Sequence, residues 1–110
     1  MKSTIVTLAI LLATSVAVQS ADDVKSLWKT NCSSCHGMDG KGKTKAGRKA
    51  KVEDFTDAKY QESFKDEFAI KRLKDGIMED GKERMKPFGD KLTDAQMKDL
   101  LAYVRTFAKK

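Results

Sequence analysis

The segment Cys32-Ser33-Ser34-Cys35-His36 decides the fold of this 110-residue chain. It places the chain's two cysteines three positions apart, directly before its only histidine. This is the spacing of c-type haem attachment. Each thiol can add to one vinyl group of the ring, and the histidine then reaches the iron from the same turn of chain. The motif therefore predicts one haem c, held covalently by Cys32 and Cys35, with His36 as an iron ligand.

Other uses of two cysteines and a histidine fit the chain less well. A structural zinc ion needs four nitrogen or sulfur ligands, and this chain supplies three. A thioredoxin-like Cys-x-x-Cys needs a neighbouring βαβ pattern, which the sequence lacks. A simple disulfide would leave His36 without a role. Haem attachment uses all three side chains and needs no further cysteine or histidine.

The first 20 residues differ from the rest of the chain, with 12 apolar residues, one lysine and no acid. Lys2, an apolar run beginning at Ile5 and the small residues before Ala21 are typical of a cleaved secretory signal peptide. The run is shorter than the roughly 20 apolar residues of a spanning helix, so a retained anchor is the weaker alternative. We predict a signal peptide over residues 1–20, cleavage near Ser20, and a periplasmic protein without stable membrane insertion.

Residues 21–110 then form one small, basic domain. They carry 21 Lys and Arg against 16 Asp and Glu. A 90-residue domain is marginally stable without a staple such as a metal or cofactor, and a covalent haem would supply it. Six of the basic residues lie between Lys41 and Lys51 with no interleaved aromatics, and 16 acids dilute the rest, which argues against nucleic-acid binding.

Apolar spacing predicts an all-α fold. Val24 and Trp28 lie on one face of a first helix over 22–31, and a loop is expected over 37–51. A capping box at Ser63 would begin a middle helix. Thr93 and Gln96 form a second capping box, which begins a last helix running to Ala108. No alternating segment long enough for a strand is evident, so residues 76–91 are expected to form an apolar loop.

Since the chain has no second histidine, methionine is the natural candidate for the second axial ligand of the iron. Met38 is too near His36 to reach the opposite face of the ring, and Met97 lies on the apolar stripe of the last helix. Met78 and Met85 remain. We favour Met85 because a rigid proline and a bulky phenylalanine follow it closely, whereas two acids follow Met78 and favour solvent.

The chain resembles a small bacterial class I cytochrome c over all of residues 21–110. The resemblance rests on the Cys32–Gly37 motif, the Met85-Lys86-Pro87-Phe88 segment and the apolar C-terminal helix. Many members place proline directly after the ligand methionine, whereas here Lys86 intervenes. The resemblance implies three to five short helices wrapped around one haem, crossing first and last helices, His36 as proximal ligand and Met85 as distal ligand.

The resemblance also implies which side chains meet around the ring. Trp28 and Val24 would meet Leu100 and Tyr103 where the two helices cross. A segment beginning at Asp54 would close one haem edge. The side chains expected to form a dry pocket are Trp28, Phe55, Tyr60, Phe64, Phe88 and Leu92.

These features predict a monomeric electron carrier and not an enzyme. The iron would cycle between ferric and ferrous states with both axial positions filled. The basic 41–51 segment would steer a redox protein partner with an acidic docking surface. The alternative is a haem enzyme or gas sensor with an open or displaceable sixth position, and a further one is an electron-relaying subunit of a larger complex.

Overall fold

The computed structural model describes residues 3–5, 7–10 and 21–109. The predicted signal peptide lies mostly outside these ranges, and its described residues form neither helix nor strand. The elements in chain order are α1 (Ala21–Asn31), α2 (Ser33–His36), α3 (Lys45–Ala50), α4 (Ala58–Glu62), α5 (Asp66–Asp75), β1 (Ile77–Glu79), β2 (Lys82–Met85), α6 (Asp94–Thr106) and a final 3-10 turn (Phe107–Lys109).

The predicted helical architecture is confirmed, with more helices than expected. Six α-helices lie in the part of the chain that the structure describes, of which α2, α3 and α4 have only four to six residues. Helix α3 lies inside the segment predicted to be a loop. It begins there because the Thr44 hydroxyl accepts a hydrogen bond from the Gly47 backbone N–H at 2.9 Å, which caps its first turn.

The expectation that the chain has no strand was wrong. Strands β1 and β2 pair antiparallel, with Ile77 opposite Met85 and Glu79 opposite Lys82. The connection is the dipeptide Asp80-Gly81, whose φ angles are 53° and 73°. Two successive positive φ values define the tight turn that joins short strands without splaying them, and Asp-Gly is a preferred sequence for it. The turn forms the hairpin although the strands are short.

The two predicted capping boxes had different outcomes. At α6 the box is confirmed: the Thr93 hydroxyl accepts from the Gln96 backbone N–H at 3.1 Å, and the Gln96 side-chain oxygen accepts from the Thr93 N–H at 2.9 Å. The box at Ser63 was wrong. Its hydroxyl instead donates to the Tyr60 carbonyl at 2.6 Å, and α5 begins after Lys65 without a side-chain cap. The end of α4 competes for the same hydroxyl.

The core forms where α1 packs against α6 and the final turn. Trp28, Leu100 and Phe107 are almost fully buried, at 1–2% exposed. The Trp28 ring lies 5.4 Å from the Tyr103 ring and 5.2 Å from the Phe107 ring. Val24 belongs to the same cluster. The predicted meeting of Val24 and Trp28 with Leu100 and Tyr103 is therefore confirmed.

Two polar side chains attach the middle of the chain to α6. Gln61 is 6% exposed, and its amide donates to the Phe55 and Val104 carbonyls at 2.8 Å each. The Arg105 guanidinium donates to the Gln61 and Phe64 carbonyls, pairs with Asp66, and lies 4.2 Å from the centre of the Phe64 ring. Because carbonyls with no other role are thereby satisfied, this network fixes the 55–66 segment against the core.

Candidate functional site

The two cysteines and the histidine lie on a single turn at the end of α1. The Cys32 N–H donates to the Trp28 carbonyl at 2.8 Å, so α1 continues into the motif. The Cys32 carbonyl then accepts from the N–H groups of Cys35 at 3.2 Å and His36 at 2.9 Å. The structure thus brings together the three residues that the spacing predicts to act together.

The two cysteines are free, and their environments differ. They are not joined in a disulfide; Cys32 is buried and Cys35 half-buried. Burial, and to a smaller extent the neighbouring Cys35, raises the pKa of the Cys32 thiol to about 12. Reactive and redox-active cysteines have lowered pKa values instead. The environment of Cys32 is therefore not that of a redox-active thiol.

The His36 ring is held in place by aromatic contacts. Its centre lies 4.8 Å from the Phe55 ring in a stacked arrangement and 5.6 Å from the Trp28 ring. The Trp28 indole N–H also donates to the Gly37 carbonyl at 3.0 Å, which fixes the backbone immediately after the histidine. The orientation of the imidazole is therefore set by α1 and by the segment around Phe55.

The electrostatics of His36 suit a metal ligand. Burial lowers the pKa of His36 to about 4, so the imidazole is neutral near pH 7 and keeps a free lone pair. Its Nδ1 atom is buried and has no hydrogen-bond partner among the described residues. A buried ring nitrogen without a partner costs free energy unless another group binds it. These properties, next to two free cysteines on one turn, fit a covalently attached haem.

The basic segment folds back over the motif. The Thr44 hydroxyl donates to the Cys35 carbonyl at 2.8 Å, and the Gly42 N–H donates to the His36 carbonyl at 2.8 Å. The six basic side chains of the segment are exposed: Lys41, Lys43, Lys45, Arg48, Lys49 and Lys51. Positive charge therefore lies close to the attachment motif, as the sequence order indicated.

Asp54 neutralises a small part of this charge. A hydrogen bond from the Thr56 side chain chiefly lowers the pKa of Asp54, with smaller contributions from Lys41 and Lys43. The Thr56 hydroxyl donates to this carboxylate at 2.6 Å. One carboxylate beside two of six cations leaves the segment clearly basic.

Met85 ends strand β2 and packs against the core cluster that contains Trp28, Cys32 and Phe88. The Phe88 N–H donates to the Leu73 carbonyl at 2.8 Å, which attaches the end of α5 to the segment after the strand. Met85 is thus held on both sides, by pairing with Ile77 before it and by this bond after it. The structure brings Met85 and Cys32 into one apolar cluster.

The other methionines occupy the environments that the sequence indicated. Met78 is 63% exposed on β1, and Met97 is 1% exposed in the core. Met38 is 43% exposed, two residues after His36. Of the two methionines on the hairpin, only Met85 is packed against the protein interior.

The predicted pocket residues divide into two groups. Trp28, Phe88 and Leu92 are buried in the core. Phe55, Tyr60 and Phe64 are half-buried and form a series of ring contacts that starts at His36. Burial, and the negative charge of Glu53, raise the pKa of Tyr60, so this phenol is neutral at physiological pH. Of the three half-buried rings, Phe55 packs against the core cluster and contacts the Trp28 ring.

Gly76 is a positioning residue that sequence reasoning treated only as the end of a helix. Its φ is +73°, and a Cβ atom there would lie 2.5 Å from the Met85 carbonyl oxygen and 2.8 Å from the Pro87 nitrogen. Only glycine lets the strand carrying Met85 pass this close to the end of α5. The sequence indicated only that a helix ends at this glycine, whose φ of 73° and ψ of −170° lie outside the left-handed helical region.

We expect Gly76→Ala to displace Met85 and to destabilise the protein, with Gly81→Ala as the matched control. Gly81 has the same φ of +73°, but no atom lies within 4 Å of its added Cβ. The control should lose about 1 kcal/mol from backbone strain alone. Gly76→Ala should lose about 1–3 kcal/mol more, because of the overlap and because the ψ of −170° at Gly76 lies in a region essentially open only to glycine. Urea unfolding of both variants measures the difference, and equal losses would contradict the close approach.

The remaining features of the described residues point to no other site. Within residues 3–5, 7–10 and 21–109, no group of three or more His, Cys, Asp or Glu side chains is placed to hold a metal ion. A surface cleft of about 470 Å³ lies between α5 and α6, lined by residues that include Ile70 and Leu101 but none of the attachment motif. No helix in the described part is long and apolar enough to cross a membrane.

Comparison with known proteins agrees with this geometry. The model of one protein family, described as cytochrome c, matches residues 21–108. The solved structure of KustC0563, a c-type cytochrome, is 33% identical with a TM-score of 0.65, over 76% of this chain and 94% of that one. A tyrosine-to-phenylalanine mutant of Kustc0563 is 35% identical with a TM-score of 0.69, over 77% and 98% of the two chains. No curated protein matches significantly.

The predicted fold and the predicted cofactor are both confirmed at the level of the family. The helical architecture is that of the matching c-type cytochromes, and members of this family bind haem c covalently. The Cys-x-x-Cys spacing of Cys32 and Cys35 is consistent with a single haem. With a family match over most of its length and a site suited to this cofactor, the chain belongs to the cytochrome c family.

Proposed function

We propose that the protein is an exported monohaem cytochrome that shuttles single electrons between redox proteins, with His36 and Met85 as the axial ligands. The observation that carries the proposal is the His36 imidazole, which is neutral, buried and unpartnered at Nδ1 on the same turn as two free cysteines. Family membership supports haem-based electron transfer, and the packing of Met85 supports its role as the second ligand.

Each of the proposed site residues has a distinct task. Cys32 and Cys35 hold the ring by thioether bonds, which keep it attached through fluctuations of a small domain. His36 binds the iron from a fixed orientation, since Trp28 and Phe55 restrict its ring. Met85 would supply the second protein ligand to the iron from the hairpin. When bound, the haem supplies an iron that accepts and releases one electron.

The buried side chains and the iron ligands limit the structural change that would accompany electron exchange. Trp28, Phe88 and Leu92 are buried, and beside a bound haem they would reduce the rearrangement of solvent that accompanies a change of charge on the iron. A methionine opposite histidine raises the reduction potential and leaves no position open for oxygen or peroxide. With His36 and Met85 as the two proposed ligands of the iron, we propose electron exchange and no bond-making reaction.

A redox titration with a carbon monoxide control tests this function. We expect the purified holoprotein to take up one electron per chain reversibly, and the reduced protein to bind no carbon monoxide. The rival function, a haem enzyme or gas sensor, requires a sixth position that is open or easily displaced. Rapid carbon monoxide binding together with turnover of peroxide would favour the rival and overturn the electron-carrier proposal.

Export is proposed from the sequence of residues 1–20 and is tested on the secreted protein. Assembly of a c-type cytochrome in the periplasm would accompany removal of these residues. N-terminal sequencing of protein from a periplasmic extract should begin at Ala21, and gel filtration should give the mass of a monomer. Intact residues 1–20 in the membrane fraction would show an anchor instead.

The basic segment 41–51 is expected to favour electron transfer with negatively charged reactants. Ferricyanide should oxidise the reduced protein about tenfold or more faster at low than at high ionic strength, because positive charge near the haem attracts the anion. A tripositive cobalt complex should show the opposite salt dependence. Lys43→Glu should slow the ferricyanide reaction more than the matched change Lys98→Glu on α6. Equal effects of the two variants would remove this role from the segment.

A further inference from the structure

We propose that Arg84 binds a propionate group of haem c through its Nε–H. The inference rests on the buried and unpartnered Nε of Arg84, at the point where β2 meets α3. It depends on the haem attachment that family membership supports, and not on the ligation of iron by Met85.

Arg84 connects two segments that are far apart in sequence. Its Nη1 donates to the Lys49 carbonyl at 3.2 Å, in the last turn of α3. A cation at a helix C-terminus is favourable, so this contact alone holds the side chain in place. This contact does not use Nε, which is buried without a partner among the described residues.

The position of Arg84 relates both segments to the proposed haem site. Arg84 directly precedes Met85 on β2. Helix α3 is attached to the haem motif, because Thr44 at its start donates to the Cys35 carbonyl. The guanidinium therefore joins the segment carrying the proposed distal ligand to the segment folded on the attachment residues.

The chemistry of Arg84 calls for an anion. Its Nε is buried without a hydrogen-bond partner in the described residues, and neither ion pair found there, Lys74 with Asp94 or Arg105 with Asp66, involves it. An arginine stays charged at any physiological pH. Burying the Nε–H of a charged guanidinium away from water costs free energy unless a hydrogen-bond acceptor binds it.

Haem c brings carboxylates of the required kind to this protein. Each propionate is planar, carries a negative charge and accepts hydrogen bonds from the guanidinium of arginine in a fixed geometry. Lysine offers no equivalent of Nε, so the identity of the residue matters and not only its charge. The structure assigns the open donor of Arg84 to one of these groups.

NMR of the reduced, diamagnetic, 15N-labelled holoprotein tests the proposal without altering the chain. The Arg84 Nε–H should exchange with solvent at least about tenfold more slowly than that of Arg48, which is exposed on α3. It should also show nuclear Overhauser contacts to propionate methylene protons. Exchange as fast as that of Arg48, or contacts to protein protons alone, would overturn the proposal. A shift on adding inorganic phosphate would do the same by showing a solute anion site.

Two conservative variants separate a propionate contact from a structural role. Arg84→Lys should shift the propionate bending bands in the resonance Raman spectrum, whereas Arg48→Lys should leave them unchanged. An unshifted spectrum in Arg84→Lys contradicts the assignment even if stability falls. The same NMR spectrum reports the Met85 methyl group, which ring currents displace when its sulfur binds the iron. Failure of the axial ligation is therefore distinguishable from failure of this inference.

Discussion

Met85→Leu is expected to open the sixth coordination position of the iron. Leucine has nearly the volume of methionine, so packing on the core cluster is largely kept, but it has no sulfur to bind. The reduced variant should bind carbon monoxide rapidly. The reduction potential of the variant should be lower by on the order of 0.1 V. This is a modest part of the roughly 0.8 V range over which axial ligands set haem reduction potentials.

Met78→Leu provides the matched control on the same hairpin. Met78 is 63% exposed on β1 and pairs opposite Glu83, so its loss should change neither the spectrum nor carbon monoxide binding. Both variants replace methionine by leucine on the same hairpin and are measured in the same buffer. An unchanged spectrum in Met85→Leu with a changed one in Met78→Leu would transfer the ligand role to Met78.

Trp28→Ala is expected to have the largest effect on stability. Trp28 is 2% exposed, its ring contacts those of His36, Phe55, Tyr103 and Phe107, and its indole donates to the Gly37 carbonyl. Removing a buried tryptophan costs about 3–5 kcal/mol, a large part of the roughly 5–15 kcal/mol that stabilises a domain. Urea unfolding of the oxidised holoprotein measures the loss, and a pyridine haemochrome spectrum checks that haem is still attached.

Phe68→Ala is the control for removal of an aromatic ring. Phe68 is 50% exposed on α5, where its ring contacts the Arg72 guanidinium at 4.7 Å. Its loss should cost less than about 1 kcal/mol, since surface substitutions are usually small in effect. If Trp28→Ala lowered the free energy of unfolding by less than about 1 kcal/mol, the contact of α1 with α6 would not be a main source of stability.

The sequence predicted best the features that depend on neighbouring residues. The attachment motif lies within five positions, so its spacing defines one turn of chain before any tertiary contact is known. The start of α6 was predicted for the same reason, because Thr93 and Gln96 are three positions apart and form the hydrogen bonds of the capping box with each other. The Asp80-Gly81 turn was also local, and attention to that dipeptide would have predicted the hairpin.

Features that depend on distant contacts were missed or mistaken. Ser63 looked like a helix cap, but the Tyr60 carbonyl takes its hydroxyl. The contact of Arg84 with Lys49 spans 35 positions, and that of Arg105 with Gln61 spans 44. No periodicity or capping rule brings such pairs together, since only the packed fold determines which segments meet. The roles of Arg84 and Gly76 therefore became visible only in the structure.

The identity of the two axial ligands is the claim on which the proposed function depends most. A crystal structure of the oxidised holoprotein, at a resolution that distinguishes sulfur from oxygen, measures it directly. We predict a ring nitrogen of His36 on one side of the iron and the sulfur of Met85 on the other. Water, Met78 or any other group in place of the Met85 sulfur would contradict the account.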